Sequence, residues 1–148
     1  MKKLVTLALA ASLVAVPAGA DAAKYKGKTK GGSTITLKAK GNKVSKIRTA
    51  VPIVCVETTG TGQTRAGTEL FQPPGSFKLG KKAKRKALQP AAINSGNKAT
   101  KNYTVSVRRS GGKIKGKLKV NLSFLRLSLF KSLPDTYICS GSTTFSAK

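Results

Sequence analysis

The sequence predicts an all-β protein: an antiparallel β-sandwich of about eight strands with one disulfide, a partly closed β-barrel being the competing arrangement. Three observations predict it. Apolar and polar residues alternate with period two through most of the chain beyond residue 23. Gly31-Gly32, Gly41-Asn42 and Gly111-Gly112 interrupt the alternation where hairpins must turn. Two cysteines, Cys55 and Cys139, stand in a chain that opens with an export signal.

That signal is residues 1–20. Lys2 and Lys3 are followed by an uncharged run of 13 residues, Leu4 to Val16, and then by small residues at Ala18 and Ala20. A basic start, a short apolar stretch and an Ala-x-Ala site define a secretory signal peptide, cut after Ala20 or after Ala22. The apolar run falls short of the roughly 20 residues that span a bilayer. Residues 21–148 then form a single secreted β domain. In an exported chain an even cysteine count implies a disulfide, and two cysteines allow only one, Cys55–Cys139.

The elements follow in order. Lys24 to Lys30 places every lysine on one face, and Thr34 to Lys40 opposes Ile35, Leu37 and Ala39 to Thr34, Thr36, Lys38 and Lys40. After Gly41-Asn42 the return strand runs from Lys43 to Val56, with Ile47, Val51, Ile53 and Cys55 in phase. Val44 is out of phase with them, which predicts a bulge near Ser45. Residues 57–67 read as a loop by composition, and short strands at Leu70-Phe71 and Phe77-Lys78-Leu79 flank Pro73-Pro74-Gly75. Residues 81–102 show no period and read as a second long loop. Tyr103, Val105 and Val107 begin a strand, and Lys113 to Phe130 returns from the Gly111-Gly112 turn. In that return segment the apolar phase shifts from Phe124 to Leu125, Leu127 and Leu129, which predicts two strand pieces or, in the alternative, a helix through Leu122, Leu125, Leu129 and Leu133. A last strand carries Tyr137, Cys139, Gly141, Thr143, Phe145 and Ala147 in one phase.

Composition removes most chemistry. The 148 residues include 29 Lys+Arg, 4 Asp+Glu, no His and no Trp, for a formal charge of +25; removal of residues 1–20 takes two lysines and leaves about +23. Without His there is no Ser-His-Asp or Cys-His nucleophile and no His-ligated zinc or haem. Gly111 to Lys117 has phosphate-loop spacing, but Leu118 stands where Mg²⁺ needs Ser or Thr, and the segment reads as a strand. Leu133-Pro134-Asp135-Thr136 resembles a wall-sorting signal, but Tyr137 replaces its Gly and no apolar tail follows. Glu57 and Asp135 lie near the two cysteines, so the disulfide would draw two carboxylates together, the minimum that a glycosidase needs. No cofactor or metal site is indicated.

The basic residues are the large signal. Lys24, Lys26, Lys28 and Lys30 form one ladder, and Lys113, Lys115, Lys117 and Lys119 a second, with about 7 Å between successive side chains. Lys78, Lys81, Lys82, Lys84, Arg85 and Lys86 form a third group, placed on the loop. Such lines of charge attract polyanions and gain affinity by releasing counterions; the plainer alternative is that they solubilise the surface and guard sheet edges. Lys outnumbers Arg 23 to 6, which suits diffuse attraction rather than base reading, since Lys is a point charge without a bidentate fork.

Tyr25-x-Gly27-x-Thr29, Gly75-Ser76-Phe77 and Cys139-x-Gly141-x-x-x-Phe145-x-Ala147 together resemble the pattern of a group of small secreted bacterial β-sandwich proteins. The resemblance covers most of residues 21–148, implies a secreted β-sandwich and brings no activity with it.

The expected function is a non-catalytic basic module that binds anionic polymers by diffuse electrostatics: an envelope glycopolymer, an acidic polysaccharide or extracellular DNA. The alternatives are a protein-binding or inhibitory module using loops 57–67 and 81–102, a membrane-active defence protein acting on an anionic surface through residues 120–133, and, last, a hydrolase using Glu57 and Asp135.

Overall fold

A computed structural model describes residues 21–127 and 134–148. The predicted signal peptide, and Leu129 and Leu133, lie outside the described residues. The elements are β1 (Ala23–Thr29), β2 (Thr34–Lys40), β3 (Lys43–Glu57), β4 (Thr64–Phe71), β5 (Ser76–Lys78), β6 (Lys82–Pro90), a single 3-10 turn (Ala92–Asn94), β7 (Lys98–Ser110), β8 (Lys113–Arg126) and β9 (Asp135–Ala147). All nine strands join one antiparallel sheet in the order β4-β3-β2-β1-β9-β8-β7-β6, with β5 pairing β3 at the side.

The sheet curls because β3 pairs twice along one edge. Its first half lies against β2, and its last residues, Val54 to Glu57, lie against Ser140 to Tyr137 of β9. The second contact closes β3, β2, β1 and β9 into a ring. Two features let β3 change partner. Lys46, with φ of +50°, forms the bulge expected near Ser45, and the register with β2 slips there. Gly141 lies where β3 crosses β9, and a Cβ at that position would collide with the carbonyl oxygen of Pro52. Cys55 and Cys139 stand directly opposite in the closing ladder, Cα atoms 3.9 Å apart, and form the expected disulfide.

Alternation sets the inside and the outside. Ile35, Leu37, Val44, Ile47, Val51, Ile53, Val105, Ile114, Leu118, Val120 and Leu122 fill one core, with Phe71, Phe77, Tyr103, Phe124, Tyr137 and Phe145 among them. In β8 the inward phase holds from Ile114 through Phe124, and Leu125 and Leu127 face out. No phase change or helix therefore occurs before Arg126; β8 is one strand of 14 residues, and the rest of that expectation falls outside the described residues.

Both expected long loops need correction. Thr64 to Gly67 already belong to β4, paired with Val56 to Ile53, and 82–90 and 98–102 are strand. The loop reading failed at β6 because this end strand turns only Ala83, Arg85, Ala87 and Gln89 toward the core side. Small or polar residues at those positions leave no apolar period to read.

The disulfide closes a separation of 84 residues, for which the chain-entropy relation gives about 4–5 kcal/mol. Cys55→Ala/Cys139→Ala is expected to unfold at lower urea by about that amount in free energy, measured by circular dichroism. A loss below about 1 kcal/mol would show that the sheet closure holds without the bond.

Candidate functional site: a basic outer face and an end cavity

The outer face of the sheet is organised strand by strand. Residues opposite one another in the registers share a face, so Lys84, Thr104, Lys119 and Ser142 lie in one line across β6, β7, β8 and β9, and Lys82, Ser106, Lys117 and Thr144 in the next. Lys115 continues to Ser146, then to Lys28 on β1 and Thr34 on β2. Exposed lysines thus occupy β6 (Lys82, Lys84, Lys86), β8 (Lys113, Lys115, Lys117, Lys119) and β1 (Lys24, Lys26, Lys28), while β7 apart from Lys98 and Arg108, β9 apart from Ile138, and the start of β2 present hydroxyl or amide side chains between them. Directly opposed like charges destabilise a sheet, and this arrangement largely avoids them; Arg108 opposite Lys115 and Lys24 opposite Lys38 are departures. Lys28 Nζ donates to Thr34 Oγ1 at 3.4 Å across one such pair.

The two lysine ladders and the strand part of the third group therefore share one face. Not every expected residue joins it. Arg85 is in the other phase of β6, its guanidinium 5.4 Å from the Phe77 ring centre and donating to the carbonyl of Ser76. Lys30 and Lys81 are exposed outside the strands, Lys113 opens β8 in phase with Lys115, and Lys78 lies on β5 opposite Lys43.

The acids take the opposite side. Glu57, Glu69 and Asp135 are buried, and only Asp21 is exposed. Glu57 lies opposite Tyr137, two residues along β9 from Asp135, so the disulfide does bring those carboxylates to one end of the sheet. Thr61 donates to Glu57 Oε2 at 3.2 Å.

The third buried acid was not singled out in the sequence. Glu69 Oε1 accepts from Lys101 Nζ at 2.7 Å, with both side chains almost wholly enclosed. Lys101 also donates to the Pro90 carbonyl, while the Ala92 and Ile93 amides donate to the two Glu69 oxygens at 3.2 and 3.4 Å. The pair thus pins the 3-10 turn to the sheet. Its signal was present: Lys101 sits on the apolar phase of β7, between Ala99 and Tyr103. Beside it, Tyr103 donates to Gln89 Oε1 at 2.5 Å and packs edge-on against Phe71, ring centres 5.0 Å apart.

The pinned turn makes one wall of a cavity of about 420 Å³ at the disulfide end of the sheet. Ile93 reaches it by lying over Gly67, where a Cβ would approach Ile93 Cδ1 to 2.6 Å. Cys55, Phe124 and Tyr137 supply the apolar side, and Arg65, Arg126, Asn94 and Ser95 the polar side. The Phe124 and Tyr137 rings stack at 5.4 Å and 16°, and the Arg65 guanidinium lies 5.6 Å from the Tyr137 ring centre. Neither Glu57 nor Asp135 lines this cavity. Among the described residues no cluster of His, Cys, Asp and Glu suits a metal ion, and no helix is long and apolar enough to cross a membrane.

No protein-family model matches the chain, and no curated protein sequence matches it. The crystal structure of a short afifavidin–biotin complex is similar to it at 20% identity and a TM-score of 0.40, over 84% of this chain and 88% of that one. Superposition at that level assigns no ligand to this chain.

Two predictions follow from the buried pair and its neighbour. Lys101→Ala leaves the Glu69 carboxylate enclosed without its cation and is expected to cost about 3–5 kcal/mol in urea unfolding. Lys101→Met/Glu69→Gln should cost less than the sum of the single changes; strict additivity would show that the two charges are not coupled. Burial first, and the Glu69 charge second, push the Tyr103 hydroxyl up to about 12 from 10.0. Its folded pKa lies above the unfolded one, so its contribution is complete below pH 10 and is lost as the pH rises from 10 through 12. Wild type should lose stability across that window relative to Tyr103→Phe, and a constant difference between the two would refute the assignment.

Proposed function

We propose that the protein is a secreted, non-catalytic binding module whose outer lysine face holds anionic polymers by diffuse electrostatics. The observation that supports this most is the alternation of lysine strands with hydroxyl strands, β6 to β9 and on to β1, with three of the four acids turned inward. A solubilising coat calls for mixed charge, whereas this face presents one sign in parallel rows. Lysines at alternate positions of a strand repeat at about 7 Å, so an extended polyanion laid along a row meets a cation at each step. The Ser and Thr hydroxyls between rows can donate to its oxygens. Acidic polysaccharides, phosphate-bearing envelope glycopolymers and extracellular DNA share that chemistry.

The reading as a protein-binding or inhibitory module using loops 57–67 and 81–102 loses much of its surface, because 64–67, 82–90 and 98–102 are strand and only 58–63, 81 and 91–97 of those ranges lie outside strands. A hydrolase gains nothing from the end cavity, whose lining excludes Glu57 and Asp135. One observation favours an anionic membrane surface as a second kind of target: Val54, Val56 and Ile138 lie exposed and adjacent on the outer face of the β3–β9 ladder, on the same sheet as the lysines.

Retention on heparin should fall steeply as salt rises, because each neutralised anion releases a counterion. Lys115→Gln/Lys117→Gln/Lys119→Gln should elute at lower salt and shallow the logarithmic salt dependence by up to about three ion equivalents. Retention that is the same in low and high salt would overturn the proposal. Sedimentation with anionic vesicles that persists in high salt, and is lost in Val56→Ser/Ile138→Ser, would instead favour the membrane surface.

A further inference from the structure

We infer that the end cavity is a second and separate binding site, one that takes a small aromatic carboxylate. Four features of its lining converge on that class. The volume, about 420 Å³, falls in the range of small-molecule sites and well above what a bare inorganic anion fills. Phe124 and Tyr137, already stacked on each other, together with Ile93 and the Cys55 half of the disulfide, give it an apolar side suited to a flat ring. Arg65 and Arg126 bring two guanidinium groups, the side chains that grip a carboxylate through paired N–H donors. Finally, Asn94 is buried in the lining, and its side-chain Nδ2 has no hydrogen-bond partner. An amide donor left unmatched in an enclosed place costs free energy unless something supplies an acceptor, and a ligand oxygen would do so.

The positions of these groups are fixed by the fold. Asn94 ends the 3-10 turn that Glu69 and Lys101 hold in place, Arg65 stands opposite Cys55 on β4, and Arg126 closes β8 opposite Asp135, two residues beyond the Phe124–Tyr137 pair. The order is aromatic floor, amide wall and cationic rim. A ligand would stack its ring against the Phe124–Tyr137 side and direct its carboxylate to the arginines, with one oxygen within reach of Asn94. None of the lysines of the outer rows lines this cavity. The two sites can therefore succeed or fail separately.

Calorimetry with 4-hydroxyphenylacetate on the purified protein, with its neutral amide and inorganic phosphate as controls, tests the site. The carboxylate should bind saturably at one per chain in 0.5 M salt, at least about tenfold tighter than the amide or phosphate, since a charge-assisted pair is worth about that much. Arg65→Ala/Arg126→Ala and Asn94→Ala, checked for folding by circular dichroism, should each weaken it, the arginine pair by about tenfold or more. Lys115→Gln/Lys117→Gln/Lys119→Gln should leave it unchanged while lowering heparin retention. Absence of saturable binding, equal binding of the amide, equal binding of phosphate, or a loss in the lysine variant as large as in the arginine variant would each overturn the inference.

Discussion

One strand carries the architecture. β9 is hydrogen-bonded along its whole length to β8 on one edge, and its other edge is divided between β1 near Phe145–Ala147 and β3 near Tyr137–Ser140. A flat sheet could not offer one edge to two strands that are themselves joined through β2; the sheet has to curl, and the curl creates the inside. The divided edge explains where the glycines fall. A Cβ at Gly27 would strike the Ser146 carbonyl where β1 meets β9, and one at Gly141 would strike Pro52 where β3 does. The disulfide then ties β3 to β9 within a short junction, where only four residues of each strand meet.

The buried Glu69–Lys101 pair does for the end cavity what the disulfide does for the ring. An enclosed ion pair is a poor source of net stability, because desolvation of both charges offsets their attraction. Its value lies in direction. Glu69 accepts from Lys101 and from the amides of Ala92 and Ile93, while Lys101 donates to Pro90, so the segment leaving β6 is fixed at several points before it enters β7. Asn94 and Ser95, which line the cavity, inherit their positions from that fixing. An apolar pair in place of Glu69 and Lys101 would fill the volume but take from the amides of Leu70, Ala92 and Ile93 the carboxylate to which they donate.

The parts legible in the sequence were those written in period two. β2, most of β3, β7 from Tyr103 onward, β8 as far as Phe124 and β9 alternate cleanly because both their neighbours are strands and one face is core. The bulge near Ser45 was visible for the same reason, since it breaks that phase at Val44. β6 and the first half of β4 were not legible: they end the sheet, and their inward positions carry Ala83, Ala87, Gln89, Arg65 and Gly67 rather than large apolar residues. The lysine rows could be seen singly, but their union on one face could not, because it depends on which strands are neighbours. The cavity was invisible for a related reason. Its lining comes from β3, β4, β8, β9 and the 3-10 turn, and no local pattern joins Arg65 to Arg126.

The two kinds of cation are divided in a way that follows from their chemistry. The outer rows of β1, β6 and β8 are lysine, strongly hydrated point charges on flexible stems, and rows two strands apart lie about 10 Å from each other. That separation is about one Debye length in moderate salt, so neighbouring rows are largely screened from one another, and within a row the repulsion between successive charges in water is of the order of thermal energy. The surplus is therefore tolerable without acids on the face, and those acids are free to serve the interior. The cavity rim has arginine instead, on Arg65 and Arg126, beside stacked aromatic rings and an unmatched amide. A planar guanidinium stacks on a ring and aims its donors, as Arg65 does over Tyr137; a hydrated ammonium does neither well. Lysine on the outer rows of β1, β6 and β8 and arginine at the cavity rim are what is expected if the face attracts broadly and the cavity selects; Arg108 on β7 and the buried Lys101 stand outside that division.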